Sequence, residues 1–590
     1  MQLEHILQAH GLIGRGGQSK PLPTIQNFRG SSNDLGTEII LNWDNPIVIE
    51  FQKVQIFMSD TDISNLTYEE LVLNGNMIVN AKVSTHTITG LKHNDTRYFK
   101  AFGVFTVLGE EKVSSGVRLT VTTKDIIPPA TITDFSAKED NGQVTLTWAN
   151  PIDSDFSKVK ILYKQGSYPS SPSDGMVAYE GSGNTVTITG LTNDVEYYFR
   201  AFTYDTSGNI NDSTDNQQIK ATPTEQKIYG VRIDMNNSNP LTSVVYTDDA
   251  VNMIPAPAGG GISEWDNVYP YSEIKPCLLK AGEVQTYLNS SNLAQKADGT
   301  PADITTGDNG DVMVEFPVIY WKIWREGQYL YVKYANYKID STWKALAHTK
   351  GSTLKDNIYI GVFLGYELNG KLRSLSGKTV TANKTIGDLR LLAQANGGGY
   401  SQMPCFAVLM LQILYLIKYK SRDSQTALGR GFVDGNSAGT ITGGTNAKGI
   451  DFGETTGKQQ MKFLNIEDFW GNYYCWLDGL VTDGSYNLLY SNDNFNDTGT
   501  GYGKFTTGIS ASISGYIDDV WGSTETGFII KSKEGSTTTH FCDFGYLNSG
   551  EVACFGGHWS NGSAAGFARL LLSNSASDAY SSIAARLFYA

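Results

Sequence analysis

The sequence predicts a multidomain protein in which two all-β sandwiches precede a larger α+β region. A pattern of strand, turn and aromatic strand occurs twice within the first 223 residues. After this repeat, prolines become rarer and aromatic residues more frequent, which indicates a different kind of domain. The chain has 590 residues, which is enough for roughly three or four domains of ordinary size.

The repeat consists of paired segments that occur in the same order in both copies. The pairs are EIILNWDNPI (38–47) and QVTLTWANPI (143–152), THTITGL (85–91) and TVTITGL (185–191), and YFKAF (98–102) and YFRAF (198–202). In the first pair, apolar residues alternate with polar ones up to Trp43 or Trp148, which predicts a half-buried strand. Each copy holds roughly seven short strands in about 100 residues, which is the size of a β-sandwich.

These segments resemble the fibronectin type III family, whose fold is an immunoglobulin-like sandwich. A tryptophan on an early strand, a T-x-T-G-L turn and an aromatic strand start follow one another in both copies. The resemblance implies a tyrosine corner at Tyr197 in the second copy, whereas Arg97 stands at that position in the first, where the corner is altered or lost. Because the sandwich hides its apolar faces and no RGD tripeptide occurs, we expect both modules to be spacers.

We place the domain boundaries at the junctions between these patterns. The predicted segments are an N-terminal anchoring segment (1–22), two fibronectin III-like modules (23–125 and 126–223) and a C-terminal recognition domain (224–590). Pro128 and Pro129 are expected to form a stiff link between the modules. The N-terminus lacks the layout of a signal peptide. The apolar run 406–417 is too short to cross a bilayer, and we expect it to be a core helix.

Two stretches of the C-terminal domain carry a second resemblance. They are IEDFWGNYYCWLDG (466–479) and ACFGGHWSNGSAAGFARLLLSNSASDAYSSIAARL (553–587). Their spacing of GN, W-x-D-G, GG-x-W-x-N-G and a terminal A-R-L resembles the C-type-lectin-like fold of the formylglycine-generating enzymes. Variable proteins of diversity-generating retroelements and many phage tail proteins share that fold. The resemblance implies an α+β C-type-lectin-like unit at about residues 460–590, and residues 225–460 loosely resemble prophage tail proteins.

The segment GFARLLLS (566–573) predicts a strand with one face on the core and one face outward. Alternate side chains of a strand point to opposite sides, and the even-numbered positions of 568–572 are small or aliphatic. We therefore expect Phe567, Arg569 and Leu571 to face outward, as in a recognition patch. With the rim and the following loop, the predicted ligand-binding residues are His558, Trp559, Asn561, Phe567, Arg569, Leu571, Ser573, Asp578, Tyr580 and Ser582.

By resemblance, the outward positions match those that vary in retroelement-diversified proteins, where asparagine is the usual residue. The residues that depart from asparagine here are Arg569, Leu571, Asp578 and Tyr580. This departure fits a selected binding face and equally fits drift in a fixed tail protein. Trp470 and Trp559 also fit core positions of such a fold.

The reactive residues give no enzymatic pattern, and we expect no enzyme activity. The formylglycine-generating enzymes need two nearby cysteines, and here only Cys554 is close, with Cys542 twelve residues upstream. No nucleophile motif or carboxylate pairing is evident. The five cysteines, an odd number without CxxC, predict buried reduced thiols. We expect no cofactor, with calcium at the polar loop Asn492–Asp497 as the alternative, although the W-N-D segment of calcium-dependent lectins is absent.

Charge and resemblance together predict a function in surface recognition. A formal net charge of −14 without a basic stripe argues against nucleic acid and anionic membranes as partners. We expect a phage tail receptor-binding protein, made in the host cytoplasm and carried on the virion, that attaches to a bacterial surface glycan or protein. Its other expected partners are tail or baseplate proteins at the N-terminus and copies of itself, by analogy in a trimer. The alternatives are a structural baseplate or tail-tip component and a wall-glycan hydrolase with paired carboxylates in residues 225–460.

Overall fold

A computed structural model describes residues 21–435 and 437–590 of the chain. The protein divides into two compact units, Met1–Glu225 and Gln226–Ala590. Strands hold 41% of the residues and helices 8%, so the protein is mostly β. The predicted anchoring segment, residues 1–22, lies outside the described residues except for its last two positions.

The first copy of the repeat folds as two antiparallel sheets. Its elements are β1 (Gln26–Ser32), β2 (Ile39–Asp44), β3 (Phe51–Ser59), α1 (Tyr68–Asn74), β4 (Asn76–Ala81), β5 (Thr85–Ile88), β6 (Thr96–Val107), β7 (Glu110–Val113) and β8 (Val117–Thr122). One sheet has the order β1-β2-β5, and the other has the order β4-β3-β6-β7 with β8 beside β6. The alternating residues Leu41 and Trp43 of β2 pack against Val54 and Ile56 of β3 in the core. The predicted strand pattern therefore corresponds to a sandwich core.

The second copy repeats this arrangement strand by strand. Its elements are β9 (Thr133–Asp140), β10 (Gln143–Ala149), β11 (Phe156–Gln165), β12 (Met176–Gly181), β13 (Thr185–Thr189), β14 (Tyr197–Asp205), β15 (Ile210–Asn211) and β16 (Gln218–Ala221). The sheets have the orders β13-β10-β9 and β12-β11-β14-β15, with β16 beside β14. Leu146 and Trp148 of β10 lie in the core with Val159 and Ile161 of β11. Both copies are therefore β-sandwiches of two antiparallel sheets, which is consistent with the fibronectin-like fold that the sequence repeat predicts.

The corner of the sandwich differs between the copies in the way that the sequence predicts. The Tyr197 hydroxyl accepts a hydrogen bond from the backbone N–H of Thr192, at 3.1 Å, so the tyrosine corner is present in the second copy. In the first copy, the Arg97 guanidinium pairs with the Asp95 carboxylate at 2.7 Å. An ion pair therefore replaces the corner there.

The second unit is built from many short strands and a few helices. Its strands are β17 (Ile228–Asp234), β18 (Val244–Asp248), β19 (Lys275–Lys280), β20 (Glu283–Asn289), β21 (Asn292–Lys296), β22 (Asp311–Pro317), β23 (Tyr320–Glu326), β24 (Tyr329–Ala335), β25 (Thr349–Lys350), β26 (Thr353–Leu354), β27 (Asn357–Leu364), β28 (Tyr366–Leu368), β29 (Lys371–Arg373), β30 (Tyr400–Gln402), β31 (Lys462–Phe463), β32 (Ile466–Glu467), β33 (Tyr474–Thr482), β34 (Leu488–Tyr490), β35 (Gly503–Phe505), β36 (Ile513–Tyr516), β37 (Asp519–Val520), β38 (Ile530–Ser532), β39 (Phe544–Leu547), β40 (Val552–Phe555), β41 (Leu570–Asn574), β42 (Ile583–Ala584) and β43 (Arg586–Tyr589). Its α-helices are α2 (Ile386–Gln394), α3 (Cys405–Tyr419) and α4 (Ser424–Ala427), and short 3-10 helices span Glu264–Asn267, Tyr271–Glu273 and Gly562–Ala564.

Three larger sheets organise the strands of this unit. A four-stranded sheet has the order β18-β17-β24-β23, and a seven-stranded sheet has the order β21-β20-β19-β22-β27-β43-β30. An eight-stranded sheet follows the path β35-β34-β33-β40-β41-β39-β36, with β42 beside β33. The last residues of the chain connect two of these sheets, because β42 pairs with β33 whereas β43 pairs with β27 and β30.

Helix α3 forms the centre of the core, as the apolar run 406–417 predicts. Every residue of this helix is buried. Its Tyr415 ring lies 5.7 Å from the ring of Trp470, which is itself fully buried. Near the end of the helix, the buried Lys418 ammonium pairs with Asp266 and Asp451, at 2.8 Å each. None of the described helices is long and apolar enough to cross a membrane.

The five cysteines are all buried and unbridged, which confirms the prediction of reduced thiols. They are Cys277, Cys405, Cys475, Cys542 and Cys554. Burial raises the pKa of the Cys554 thiol to about 12, so at neutral pH this group is protonated. A protonated thiol is a poor nucleophile, and Cys554 acts as a small apolar core residue.

Candidate functional site

A turn built on two glycines begins the predicted binding segment, directly after β40. Gly556 and Gly557 have φ angles of 98° and 93°, which residues with a side chain rarely adopt. A Cβ on Gly557 would lie 2.8 Å from the Cβ of Ala565, so the turn also needs the space that glycine leaves. The turn places the next residues, His558 and Trp559, at the surface, where both are half-buried.

Backbone contacts fix the loop that follows this turn. The N–H of Trp559 donates to the carbonyl of Asn472 at 3.2 Å. The Asn561 side-chain oxygen accepts a hydrogen bond from the N–H of His558 at 2.7 Å. Asn561 thereby closes its own loop, and the half-buried side chains of His558 and Trp559 stand on an ordered backbone.

His558 is neutral at physiological pH. Its ring centroid lies 5.4 Å from the ring of Tyr474 and 5.1 Å from the ring of Trp559. Burial among these rings lowers the pKa of His558 to about 4, and the positive charge of Arg569 lowers it further. A neutral imidazole has one donor and one acceptor nitrogen, which suits hydrogen bonding to hydroxyl groups.

Tyr473 completes the aromatic part of this surface, and the sequence reasoning did not single it out. Its half-buried ring lies edge-on to Trp559, with centroids 5.0 Å apart. On another side it packs against a small apolar cluster that includes Val380 and Ala584. The signal in the sequence is the pair Gly471-Asn472, whose positive φ angles of 84° and 62° turn the chain just before β33.

The loop between β41 and β42 holds Tyr580 in a fixed position. The carbonyl of Tyr580 accepts hydrogen bonds from the N–H of Asn383, at 3.1 Å, and of Ile583, at 3.2 Å. The carbonyl of Ser582 accepts one from the N–H of Tyr474 at 2.9 Å. The Tyr580 side chain itself is 48% exposed. A fixed backbone with an exposed ring loses little conformational entropy when a ligand binds.

Both loops therefore attach to the same short segment, residues 472–474. The first loop reaches it through Trp559 and the second through Ser582. Ring contacts join Tyr473, His558 and Trp559, and the exposed Tyr580 ring lies on the second loop. We call these four exposed or half-buried rings the aromatic face. Its backbone scaffold comes from β33, β40, β41 and β42 of the eight-stranded sheet.

The prediction that Phe567 faces outward is wrong. Its side chain is 0% exposed, and its ring lies 4.6 Å from that of Tyr415 on helix α3. Strand β41 begins only at Leu570, so Phe567 belongs to the preceding turn, where the alternation of a strand does not apply. The Phe567 carbonyl also accepts a hydrogen bond from the Gln412 amide at 2.8 Å. Phe567 is therefore a core residue.

The outward prediction for Arg569 is wrong as well. The side chain is 6% exposed and donates from Nε to the hydroxyl of Tyr474 at 2.9 Å and from Nη1 to the carbonyl of Ala564 at 2.9 Å. Its guanidinium lies over the rings of Tyr474 and Phe544. Arg569 thus connects the turn to the sheet, because it donates to acceptors on two separate segments.

The remaining predicted residues lie at intermediate depth. Leu571 is half-buried and packs against the cluster that contains Cys554, so it is only partly outward. Ser573 is half-buried. The Asp578 carboxylate accepts a hydrogen bond from the N–H of Ser575 at 2.9 Å and closes the turn of its own loop. The even-numbered positions of 568–572 are buried, as predicted.

Two side chains of the polar loop considered for calcium, Asn496 and Asp497, use their oxygens within the protein. The Asn496 side-chain oxygen accepts hydrogen bonds from the N–H groups of Thr498 and Thr500. The Asp497 carboxylate pairs with Arg390 at 2.6 Å. These contacts fold the loop onto the unit and give both side chains a structural role.

No family model and no curated protein sequence matches this chain. Among solved structures, the crystal structure of the chicken CNTN1 FN1-FN3 domains is similar in part, with 10% sequence identity and a TM-score of 0.20. The match covers 35% of this chain and 67% of that chain. The strand order and the cores described above are consistent with fibronectin-like sandwiches.

Proposed function

We propose that this protein is a phage tail receptor-binding protein that attaches to a bacterial surface glycan or protein through its C-terminal unit. The observation that supports the proposal is the aromatic face. Its rings are presented by loops whose backbones are fixed by hydrogen bonds to residues 472–474. The resemblance of residues 460–590 to C-type-lectin-like proteins points in the same direction, because variable ligand-binding proteins use that fold.

The aromatic face suits recognition without chemical change. The rings of Trp559 and Tyr580 offer flat apolar surfaces on which a sugar ring can stack. The neutral imidazole of His558 and the exposed side chain of Ser560 add hydrogen-bonding groups at the edge. A ligand with alternating apolar faces and hydroxyl groups, such as a wall or capsule glycan, matches this combination.

The other parts of the chain fit a role in display. Each sandwich buries its apolar residues between its own sheets and has the character of a spacer. In this proposal the N-terminus joins tail or baseplate proteins, and the protein acts as a homo-oligomer, by analogy a trimer. Several copies of a weak site raise the overall avidity for a cell surface.

Cell binding of the full-length protein tests the proposal. We would label the protein and measure its binding to a panel of bacterial isolates, with a Trp559→Ala/Tyr580→Ala variant beside it. We expect the variant to bind at least roughly tenfold more weakly, which corresponds to about 1.4 kcal/mol. Tyr287→Ala is the matched control, because Tyr287 is a 40% exposed tyrosine on another sheet of the same unit.

Equal binding by wild type and double variant would contradict the proposed surface. A variant that binds cells normally but fails to enter virions would support the baseplate alternative instead. Circular dichroism and the thermal midpoint must be unchanged in both variants for these comparisons to be valid. Release of reducing sugars from purified walls by the wild type would support the hydrolase alternative.

A further inference from the structure

Three aspartates converge where the linker between the two sandwiches meets the second one. Asp125 follows β8 in the linker, Asp155 precedes β11, and Asp205 ends β14. One carboxylate oxygen of each lies within 4.8 Å of those of the other two. Across the described part of the chain, no lysine or arginine forms an ion pair with any of them. Three negative charges at this distance repel one another unless a cation is bound.

Asp125 gives an independent sign that a ligand belongs here. The residue is 9% exposed, and its Oδ1 accepts a hydrogen bond from the N–H of Ile127 at 3.1 Å. Its Oδ2 is buried and has no hydrogen-bond partner within the described ranges. Buried carboxylate oxygens are rarely left without a partner, because such an oxygen has lost its water. The partner of Oδ2 is therefore expected to be a group that the protein does not supply.

The surrounding contacts hold the three carboxylates in place. Asp205 is 3% exposed, and its two oxygens accept hydrogen bonds from the backbone and side-chain N–H groups of Asn209, at 2.8 and 2.7 Å. The same Asn209 amide donates to the carbonyl of Asp125 at 3.2 Å. The carbonyl of Asp155 accepts a hydrogen bond from the N–H of Thr206 at 2.8 Å. The linker and two loops of the second sandwich are thus joined before any ion binds.

We propose that Asp125, Asp155 and Asp205 bind one Ca²⁺ ion, and we call this group the aspartate site. All three ligands are carboxylate oxygens, which hard cations prefer, and no histidine or cysteine is among them. Two oxygens bound to one Ca²⁺ at about 2.4 Å lie at most about 4.8 Å apart, and the three carboxylates meet this limit. Asp155 is half-buried, so water can complete the coordination from its side.

Calcium at this position would couple the linker to the second sandwich. Asp125 belongs to the linker, whereas Asp155 and Asp205 belong to the second sandwich. A bound ion would hold the linker against that sandwich near Pro129, whose carbonyl already accepts a hydrogen bond from Asn211 at 2.8 Å. The spacer would therefore be stiffer in calcium than in its absence. This inference concerns the first unit and does not depend on the proposed function of the second.

Calcium titration of the full-length protein tests the site. We would remove divalent ions with EGTA, exchange the buffer and titrate CaCl₂ by calorimetry, with MgCl₂ as the competing ion. The wild type is expected to bind one strong Ca²⁺ per chain, and calcium should raise the Tm of the first unit. Asp155→Asn and Asp125→Asn should each weaken binding at least roughly tenfold and abolish the shift in Tm.

The two substitutions at the aspartate site are chosen so that they remove a charge without removing a hydrogen bond of the protein. The Asp155 carboxylate accepts no hydrogen bond within the described ranges, and asparagine keeps the oxygen that Asp125 uses for Ile127. Asp134→Asn, at an exposed aspartate of the same sandwich, and Asp493→Asn, in the polar loop of the second unit, are the controls and should bind normally. The proposal is overturned if the wild type shows no binding at millimolar calcium, if Asp155→Asn binds with unchanged affinity, or if Mg²⁺ binds equally well.

Discussion

Two parts of the C-terminal unit have opposite surroundings in the structure. One is the turn at residues 565–569 and the other is the aromatic face, and the sequence predicts residues of both on one binding surface. The turn at residues 565–569 is buried, with Phe567 against helix α3 and Arg569 bonded to Tyr474. The aromatic face keeps its rings exposed or half-buried, although three of its members, His558, Trp559 and Tyr580, lie close to this turn in the sequence. The comparison separates residues that hold the unit together from residues that are available to a ligand.

The difference arises from where regular structure begins. Side chains alternate only within a strand, and β41 starts at Leu570. Before that point the chain is packed on all sides: a Cβ on Gly566 would lie 2.1 Å from the Asp543 carboxylate. Burial raises the pKa of Asp543 well above its usual range, and its Oδ2 accepts a hydrogen bond from the N–H of Ala568 at 2.8 Å. The side chains of Phe567 and Arg569 are therefore buried in this turn and do not point to solvent.

Phe567→Ala is the substitution with the largest expected effect on stability. The ring contacts those of Tyr415, Phe528 and Phe541, and its loss leaves a cavity in the core. We expect the free energy of unfolding of the second unit to fall by about 3–5 kcal/mol. Urea unfolding of the full-length protein, with calorimetry to separate the two units, measures this change.

Leu571→Ala is the matched control for that experiment. Leu571 lies in the same segment but is half-buried, so its truncation should cost clearly less. If Phe567→Ala costs less than about 0.5 kcal/mol, which is ordinary for a surface change, the assignment of Phe567 to the core is wrong.

Arg569→Met is expected to have the second largest effect. The substitution keeps much of the apolar volume but removes the donors to the Ala564 carbonyl and the Tyr474 hydroxyl. Leaving the buried Tyr474 hydroxyl and the partly buried Ala564 carbonyl without these donors should cost about 1–3 kcal/mol in the free energy of unfolding. A double-mutant cycle with Tyr474→Phe measures the part of this cost that comes from the Arg569–Tyr474 contact.

The same variant connects the buried turn with the aromatic face through His558. The pKa of His558, about 4, is lowered first by burial and then by the charge of Arg569. Between pH about 4 and 6.5, the folded state therefore binds fewer protons at His558 than the unfolded state does. The contribution of the neutral His558 to the free energy of unfolding is fully present above pH about 6.5 and is lost as the pH falls towards 4. In Arg569→Met, an NMR titration should show the pKa of His558 raised but still below about 6.5, because burial remains. An unchanged pKa would mean that Arg569 does not act on His558.

Features that depend on local pattern were predictable from the sequence. The repeated strand ending in tryptophan gave both sandwiches, and the structure adds a shared detail. Trp43 donates to the side-chain oxygen of Asn45 at 3.0 Å, and Trp148 donates to Asn150 at 2.9 Å. The apolar run of helix α3 was predictable for the same reason, because a continuous apolar segment of this length must be buried.

Features that depend on contacts between segments distant in the sequence were not predictable. Tyr473 becomes part of the aromatic face only because the loop after β40 brings Trp559 against its ring, at a centroid distance of 5.0 Å. The aspartate site joins Asp125 with Asp205, and no spacing rule connects two residues so far apart in the chain. The corner at Arg97 is intermediate: its alteration was predictable from the missing tyrosine, whereas the replacement by an ion pair with Asp95 needed the structure.

Tyr580→Ala should have the smallest effect on stability. It is therefore the clearest test of the difference between the buried turn and the aromatic face. The fixed part of this residue is its carbonyl, which keeps its hydrogen bonds from Asn383 and Ile583 when the ring is removed. We expect the free energy of unfolding to change by less than about 0.5 kcal/mol, as for other exposed positions. Tyr473→Ala should cost more, because its ring packs against Trp559 and Val380. If the calorimetric loss for Tyr580→Ala approaches that of Phe567→Ala, the aromatic face is part of the core, and the distinction between the two parts fails.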